Sequence, residues 1–282
     1  MARPLRIEYP GAVYHIAARG NRRTEVFLDE EDRKMFFAVL TEVVHRFNAV
    51  CHAYCLMGNH YHLILETPEG NLSRTMQHLN GVYTQLFNYK HNKVGHVFQG
   101  RYTGILIERE THLLEACRYI VLNPLRAGLC ATPEAWPWSS YRATAGLASP
   151  ESFLSIRWIL EQFDGNPGTA AKKYAAFVTD GHEADIWAGL VAGTVLGSRE
   201  FAAGHLLDAH DCGDMREVPK MLRYADRPEL KEIMCAPGYK WLKALEAVDR
   251  FGYTQNEISQ YLGVHYTTVS RHLRRKLLNC KT

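Results

Sequence analysis

The chain contains no Cys-x-x-Cys pair. Its seven cysteines are odd in number and scattered, and Cys51 and Cys55 form only a C-x3-C. Zinc-knuckle and thioredoxin chemistry are therefore disfavoured, and reduced thiols in a cytoplasm are the expectation. No apolar run approaches the ~18 residues that span a bilayer, so no membrane partner is expected. The first residues, MARPLRIEYPGAVYHI, show neither an apolar core nor a small-residue cleavage site, and no signal peptide is read there. The chain also lacks a P-loop, an internal repeat and a low-complexity tract. Charge is not in excess either: a net +3 permits a nucleic-acid partner without arguing for one. What is present, 46% hydrophobic and 22% charged residues over 282 positions, is an ordinary globular composition that can fill one large domain or two smaller ones.

The most informative stretch is Leu56–Thr67, LMGNHYHLILET. On a strand, the period of two puts His60 and His62 on one face and Tyr61 on the other. Two neutral imidazoles side by side form half of a divalent-metal site. A half-buried strand with two solvent-facing histidines has the same pattern, so the motif alone leaves both readings open. Gly58 and Asn59 just before it suit a bend or bulge that opens the pair toward a ligand.

Around this stretch, GAVYHIAARG (Gly11–Gly20) reads as a first strand by its alternation. Asp29 is an N-cap ahead of Glu30, Glu31 and Asp32, and a helix with Phe36, Val39, Leu40 and Val43 runs to about Phe47. A strand at Val50–Met57 precedes the His-x-His strand. Asn71 or Ser73 caps a second helix, which ends near Tyr89–Asn92. A glycine-punctuated loop, Gly95–Tyr102, leads to a strand at Thr103–Glu108 and a third helix limited by Pro124. The order matches a split βαβ pattern, so the fold class is α+β, a ferredoxin-like βαββαβ sandwich. The aromatic segment around Trp136, Trp138 and Tyr141 is expected to pack back on this domain, with base stacking as its alternative. Farther on, Ser152–Phe163 and Thr169–Val178 read as helices, and His182–His210 as helical with loops. Turns at Asp211–Gly213 and Arg227–Pro228 suggest a boundary. Three parts are expected: a first domain over 1–145, a helical connector over 146–210 and a helical C-terminal domain over 211–282.

Tyr119 and Asn123 lie four residues apart on the third helix and share a face. Singly, one is a core tyrosine and the other a helix stop. A phenol one turn from an amide oxygen also suits metal-assisted phosphodiester transesterification: phenols titrate near ~10 and attack phosphorus poorly unless a cation offsets charge on the phosphate. Two imidazoles and an amide oxygen select weakly among Mg²⁺, Mn²⁺ and neighbouring ions.

Three blocks, LMGNHYHLIL, QGRYTGILIE and LLEACRYIVLNPLRAGL followed by WPWSSY, stand in the order found in the HUH-type single-tyrosine transposases. Residues 1–145 most closely resemble the REP-associated tyrosine transposases of that group. The resemblance implies an HUH fold in which His60, His62 and Asn123 hold Mg²⁺ or Mn²⁺ and Tyr119 is the nucleophile. It also implies a nuclease and strand-transferase acting on single-stranded DNA hairpins from palindromic repeats, through a 5′-phosphotyrosine link. Arg19, Arg22, Arg23, Arg101, Arg118 and Arg126 are candidate backbone contacts, with Arg22, Arg23 and Arg101 preferred because they lie in loops. The expected setting is cytoplasmic and nucleoid-associated, as monomer or homodimer.

The end of the chain, GYTQNEISQYLGVHYTTVSRHLRRKL, reads as a helix-turn-helix. Thr254 and Glu257 form a capping box, Ile258, Tyr261 and Leu262 a buried face, and a second helix starts near Thr267. From Phe251 on, Arg271, Arg274, Arg275, Lys276 and Lys281 stand against one acid, Glu257. The segment is similar to the C-terminal domain of the chromosomal replication initiator, which implies double-stranded DNA contacts by His265, Thr267, Thr268 and Arg271. Three other functions stand as alternatives: a DNA-binding regulator with a vestigial catalytic domain, an HUH replication-type nickase, and an unrelated metalloenzyme acting on small molecules, which leaves the helix-turn-helix unexplained. The nickases often carry a helicase domain, which needs the P-loop this chain lacks.

Overall fold

The computed structural model describes residues 7–181, 186–191, 193–208, 228–235, 237–249, 251 and 253–279. They fall into two compact units, the first ending at Ala202 and the second beginning at Ala203. The boundary turn read at Asp211–Gly213 lies outside the described residues, as do Arg227 and Lys281. Among the described residues no helix is long and apolar enough to cross a membrane.

In the first unit β1 (Ala12–Arg19), α1 (Glu30–Arg46), β2 (Val50–Leu56), β3 (His60–Thr67), α2 (Leu72–Lys90), β4 (Thr103–Ile107) and α3 (Arg109–Val121) follow one another. The four strands pair antiparallel in the order β2-β3-β1-β4, which is the split βαβ sandwich. The helices divide between the faces according to strand periodicity. Tyr61, Leu63 and Leu65 point to the side of α1 and α2, where the Phe36 ring lies 4.8 Å from that of Tyr61 and 5.2 Å from that of Tyr83. Ile64, Ala53, Val13 and Ile107 point the other way and form one buried cluster with Leu113, Cys117 and Ile120 of α3. His60 and His62 share this second face.

Both edges of the four-stranded sheet are covered by later chain, which removes the open hydrogen-bonding edges that favour association. Along β2, the Leu56 amide donates to the Trp138 carbonyl at 2.8 Å, and the Ser140 amide to the Tyr54 carbonyl at 3.0 Å. Trp136 Nε1 donates to the Leu56 carbonyl at 3.1 Å, so the aromatic segment packs on the domain. Next along the same edge, the Ser155 amide donates to the Cys51 carbonyl at 2.8 Å. This tether explains a difference from the periodicity, which predicts a helix from Ser152. The segment runs extended beside β2 first, and the helix is only Arg157–Glu161.

With the short helices Asn123–Arg126 (α4), Tyr141–Thr144 (α5) and Arg157–Glu161 (α6), Pro167–Asp180 (α7) completes the packing on this side. Within the stretch His182–His210, expected to be helical with loops, β5 (Leu190–Val191) and β6 (Val195–Leu196) instead pair antiparallel. β6 pairs parallel with β4, Leu106 opposite Val195, giving a six-stranded sheet. Val191 and Val195 are β-branched and suit strands, but the partner of Val195 in β4, Leu106, is about ninety positions away, so local periodicity misses this pairing. α8 (Arg199–Asp208) follows.

The second unit is helical: α9 (Leu230–Cys235), α10 (Lys240–Asp249), α11 (Gln255–Leu262) and α12 (Tyr266–Asn279). Its core joins Ile233, Trp241, Ala244, Ala247, Tyr253, Ile258, Val269 and Leu273. The Thr254–Glu257 capping box closes on both sides, and Gly263 ends α11 in the left-handed conformation at φ 62°. Tyr261 is not part of the buried face read from sequence: it stays 43% exposed, while Ser259 is buried beside Ile258. Thr254→Ala should lower the stability of this unit by about 1 kcal/mol, seen as an earlier loss of helical circular dichroism in urea. An unchanged transition would mean that the cap adds nothing to the core.

Candidate active site

β3 delivers the two histidines to one face, and β1 adds a third. Ala17 stands opposite His62, Arg19 opposite His60 and His15 opposite Ile64, so the side chains of His15, His60 and His62 all rise on the α3 side. His15 and His62 meet directly, with His15 Nε2 2.9 Å from His62 Nδ1. The rings of His60 and His62 lie 5.0 Å apart and nearly perpendicular. His60 Nδ1 is 2.6 Å from Asn59 Oδ1. Burial pushes the pKa of His15 down to about 4. Burial and the neighbouring Arg19 charge do the same to His60, also to about 4. His62 is held well below the usual range by burial, then by His15, His60 and Arg19. All three rings are therefore neutral at neutral pH, the form that binds metals.

Tyr119 reaches the same cluster from α3. Its ring makes an edge contact with His15 at 6.3 Å and with Trp187 at 5.0 Å. The Arg126 guanidinium lies over it at 4.7 Å. Trp187 also lies 5.1 Å from His15. Asn123 is four residues on, but the helix does not continue to it as the spacing predicts. α3 stops at Val121 and Asn123 opens α4. Pro124 supplies no N–H for the Ile120 carbonyl, and Asn123 Nδ2 donates to that oxygen instead, at 3.2 Å. The donor end of this amide is thereby used, which leaves Oδ1 as its acceptor end.

The rim of the site is a meeting of loops at the His60 end of the sheet. The Asn21 amide donates to the Val97 carbonyl at 2.8 Å and the Gln99 amide to the Arg19 carbonyl at 2.8 Å. Arg22 and Arg23 are exposed there and both hold left-handed backbone, φ 53° and 61°, a conformation that costs about 1–3 kcal/mol per non-glycine residue. Arg101 is exposed in the adjoining loop. Arg118 is placed differently: it pairs with Glu115, and its Nη1 donates to the Phe177 carbonyl at 3.2 Å. Gly20 makes the turn possible by close approach, since a Cβ there would lie 2.0 Å from the Thr24 carbonyl oxygen. Gly20→Ala should cost about 1–3 kcal/mol, measured as a lower urea midpoint. An unchanged midpoint would show that the loop gives way freely.

A second group with ligating atoms, Asp29, Asp32 and His91, lies between α1 and the end of α2. A cation already occupies it: Lys90 Nζ lies 2.6 Å from Asp29 and 2.8 Å from Asp32. This is an ion-pair network closing a helix N-terminus. In the second unit, His265, Thr267 and Arg271 are exposed at the start of α12, and Thr268 is half-buried. His265 Nδ1 and Thr267 Oγ1 are 2.9 Å apart.

Two contributors to the cluster escape a reading of the sequence. His15 shows only as one member of an alternating strand, and its meeting with His62 depends on the β1–β3 register. Trp187 carries no local signal at all.

Residues 9–123 match the family model described as "Transposase IS200 like". This stretch is therefore similar to the IS200-like transposases, and it covers the four-stranded sheet and the helix that carries Tyr119. Among solved structures the chain is similar to a REP-associated tyrosine transposase bound to a REP hairpin, with 18% identity and a TM-score of 0.46, covering 55% of this chain and 93% of that one. It is also similar to a proposed transposase from Deinococcus radiodurans R1, with 16% identity and a TM-score of 0.31, covering 45% of this chain and 92% of that one. No curated protein matches the chain.

Proposed function

We propose that the chain is a metal-dependent HUH transposase of the REP-associated type, cleaving and rejoining single-stranded DNA beside palindromic hairpins with Tyr119 as nucleophile. The observation that carries this reading is the continuous contact from His60 through His62 and His15 to Tyr119. A tyrosine packed at the edge of a cluster of neutral histidines stands where a nucleophile beside a bound ion would be needed. The residues fit a divalent ion. Nδ1 of each histidine faces a protein partner, so the Nε2 atoms are the available donors, and Asn123 keeps its Oδ1. What Mg²⁺ or Mn²⁺ supplies when bound is positive charge at the non-bridging phosphate oxygens.

The remaining chemistry belongs to the chain. Tyr119 Oη attacks the phosphorus, the bond to the 3′-oxygen breaks, and the leaving oxygen takes a proton to become a 3′-OH. The product is a 5′-phosphotyrosine, and attack by a 3′-OH reverses the step without ATP. Arg126, stacked on the nucleophile's ring, keeps positive charge beside the reacting group. Arg22, Arg23 and Arg101 hold the DNA backbone, giving affinity that falls with salt rather than sequence choice. His265, Thr267, Thr268 and Arg271 read duplex DNA from the C-terminal unit as a helix-turn-helix. The domain limits 1–145, 146–210 and 211–282 describe this division of labour.

The test is a pool of single-stranded hairpins incubated with the full chain and Mg²⁺ or Mn²⁺, followed on denaturing gels. A covalent protein–DNA adduct that appears with metal and vanishes with chelator supports the reading. Tight duplex binding with no adduct from any hairpin would favour the regulator.

A further inference from the structure

The metal-site reading leaves one question that the side chains themselves answer: what fixes the proton on each histidine. A neutral imidazole binds an ion only through the nitrogen without hydrogen, and a ring whose proton sits on the wrong atom is no ligand. Around this pair, two neighbours outside the ligand set make contact at Nδ1.

For His60 the partner is Asn59, and its amide orientation is determined. Asn59 Nδ2 donates to the Arg23 carbonyl at 3.1 Å, which turns Oδ1 toward His60 Nδ1 at 2.6 Å. An amide oxygen only accepts, so Nδ1 of His60 must carry the hydrogen and Nε2 the lone pair. The Asn59 carbonyl in turn accepts from the Gly20 amide at 2.8 Å, which anchors the residue to the end of β1. For His62 the partner is His15, 96% buried, with Nε2 at 2.9 Å from His62 Nδ1. That contact blocks Nδ1 as a ligand atom. It supplies an acceptor for the hydrogen that must sit on Nδ1 when Nε2 faces an ion. The other nitrogen of His15 is buried without a hydrogen-bond partner, so this ring's hydrogen bonding is directed to His62 alone. Trp187 packs beside it at 5.1 Å.

We propose that Asn59 and His15 are the positioning residues of the histidine pair: each engages Nδ1 of one ring, so that His60 and His62 present both Nε2 lone pairs to a divalent cation. The inference rests on the metal-site reading above. It assigns a role to the residue before the motif and to a residue on a different strand. Outer partners of this kind orient ligating histidines, and their loss typically weakens metal binding about 10–100-fold.

The experiment uses the full chain in two measurements. In metal-free protein labelled with ¹⁵N-histidine, long-range ¹H–¹⁵N correlation reads the tautomer of His60, assigned through His60→Ala. The wild type should show the Nδ1–H form, which Asn59→Ala should lose and Asn59→Asp, still an acceptor, should keep. Calorimetric titration with Mn²⁺ then reads affinity. His15→Leu and Asn59→Ala should bind at least about tenfold more weakly. His15→Gln, whose amide oxygen reaches the place of Nε2, should stay within about threefold of wild type while its urea midpoint matches that of His15→Leu. A wild-type His60 in the Nε2–H form would overturn the proposal, as would unchanged Mn²⁺ affinity in His15→Leu and Asn59→Ala. A wild type that binds no Mn²⁺ would overturn the metal-site reading, and the His60 spectrum would still decide the role of Asn59.

Discussion

On the proposed function, Tyr119→Phe should abolish the covalent adduct and lower strand cleavage by about 10³-fold or more, with no measurable loss of folding. The magnitude follows from removing the proposed nucleophile: nucleophile deletions in enzymes of covalent mechanism cost about three to six powers of ten, the remainder reflecting binding and charge stabilisation. Folding should be spared because the ring, which makes every contact described for this residue, is retained. Arg126 lies over its face, and His15 and Trp187 lie at its edge. Hairpin affinity should be unchanged within about twofold, since phosphate contacts set it. An adduct persisting in Tyr119→Phe would place the nucleophile elsewhere. Adduct loss accompanied by a lowered urea midpoint would make the residue structural.

Asp32→Ala removes about 3 kcal/mol from the stability of the first unit. The carboxylate is fully buried, and it accepts from Lys90 Nζ at 2.8 Å, His91 Nε2 at 2.8 Å and the Leu28 amide at 2.7 Å. It also completes the capping box that starts α1. Removing one partner of a buried ion pair costs about 3–5 kcal/mol. The lower end applies because Lys90 keeps Asp29, at 2.6 and 2.9 Å. Burial by itself raises the pKa of Asp32, and the hydrogen bonds from Lys90, His91 and the Leu28 amide more than offset it, so the net shift is downward. For a carboxyl lowered on folding, the unfolded chain binds more protons. The stabilisation is then complete above the unfolded value of about 4 and is lost as pH falls through the folded value. Asp32→Asn should flatten the acid limb of the stability curve. Urea titrations between pH 3 and 7 test both statements, and a loss below 1 kcal/mol in Asp32→Ala would show that Lys90 and Asp29 suffice.

Local chemistry made much of the first unit legible. Asp29 before three acids marks the start of α1, the alternation around Tyr14 and Ile16 marks β1, and HYHLIL, rich in apolar residues, reads as a strand with its histidines on one side. These signals are short-range, carried by caps and by a period of two, and need no knowledge of what lies opposite. The same holds for Thr254, Glu257 and Gly263 in the second unit. Tyr261 differs from its expected place because a three-residue spacing from Ile258 puts it near the buried face without saying how wide that face is.

What the sequence determined by itself was the order of elements from β1 to α3 and the face shared by His60 and His62, because each depends only on backbone period. Tertiary structure alone decided that His15 meets His62, that Trp187 closes on Tyr119, and that β5 and β6 extend the sheet. Those contacts depend on strand register and on pairing across long stretches of chain, where a shift of one residue would turn every side chain to the opposite face.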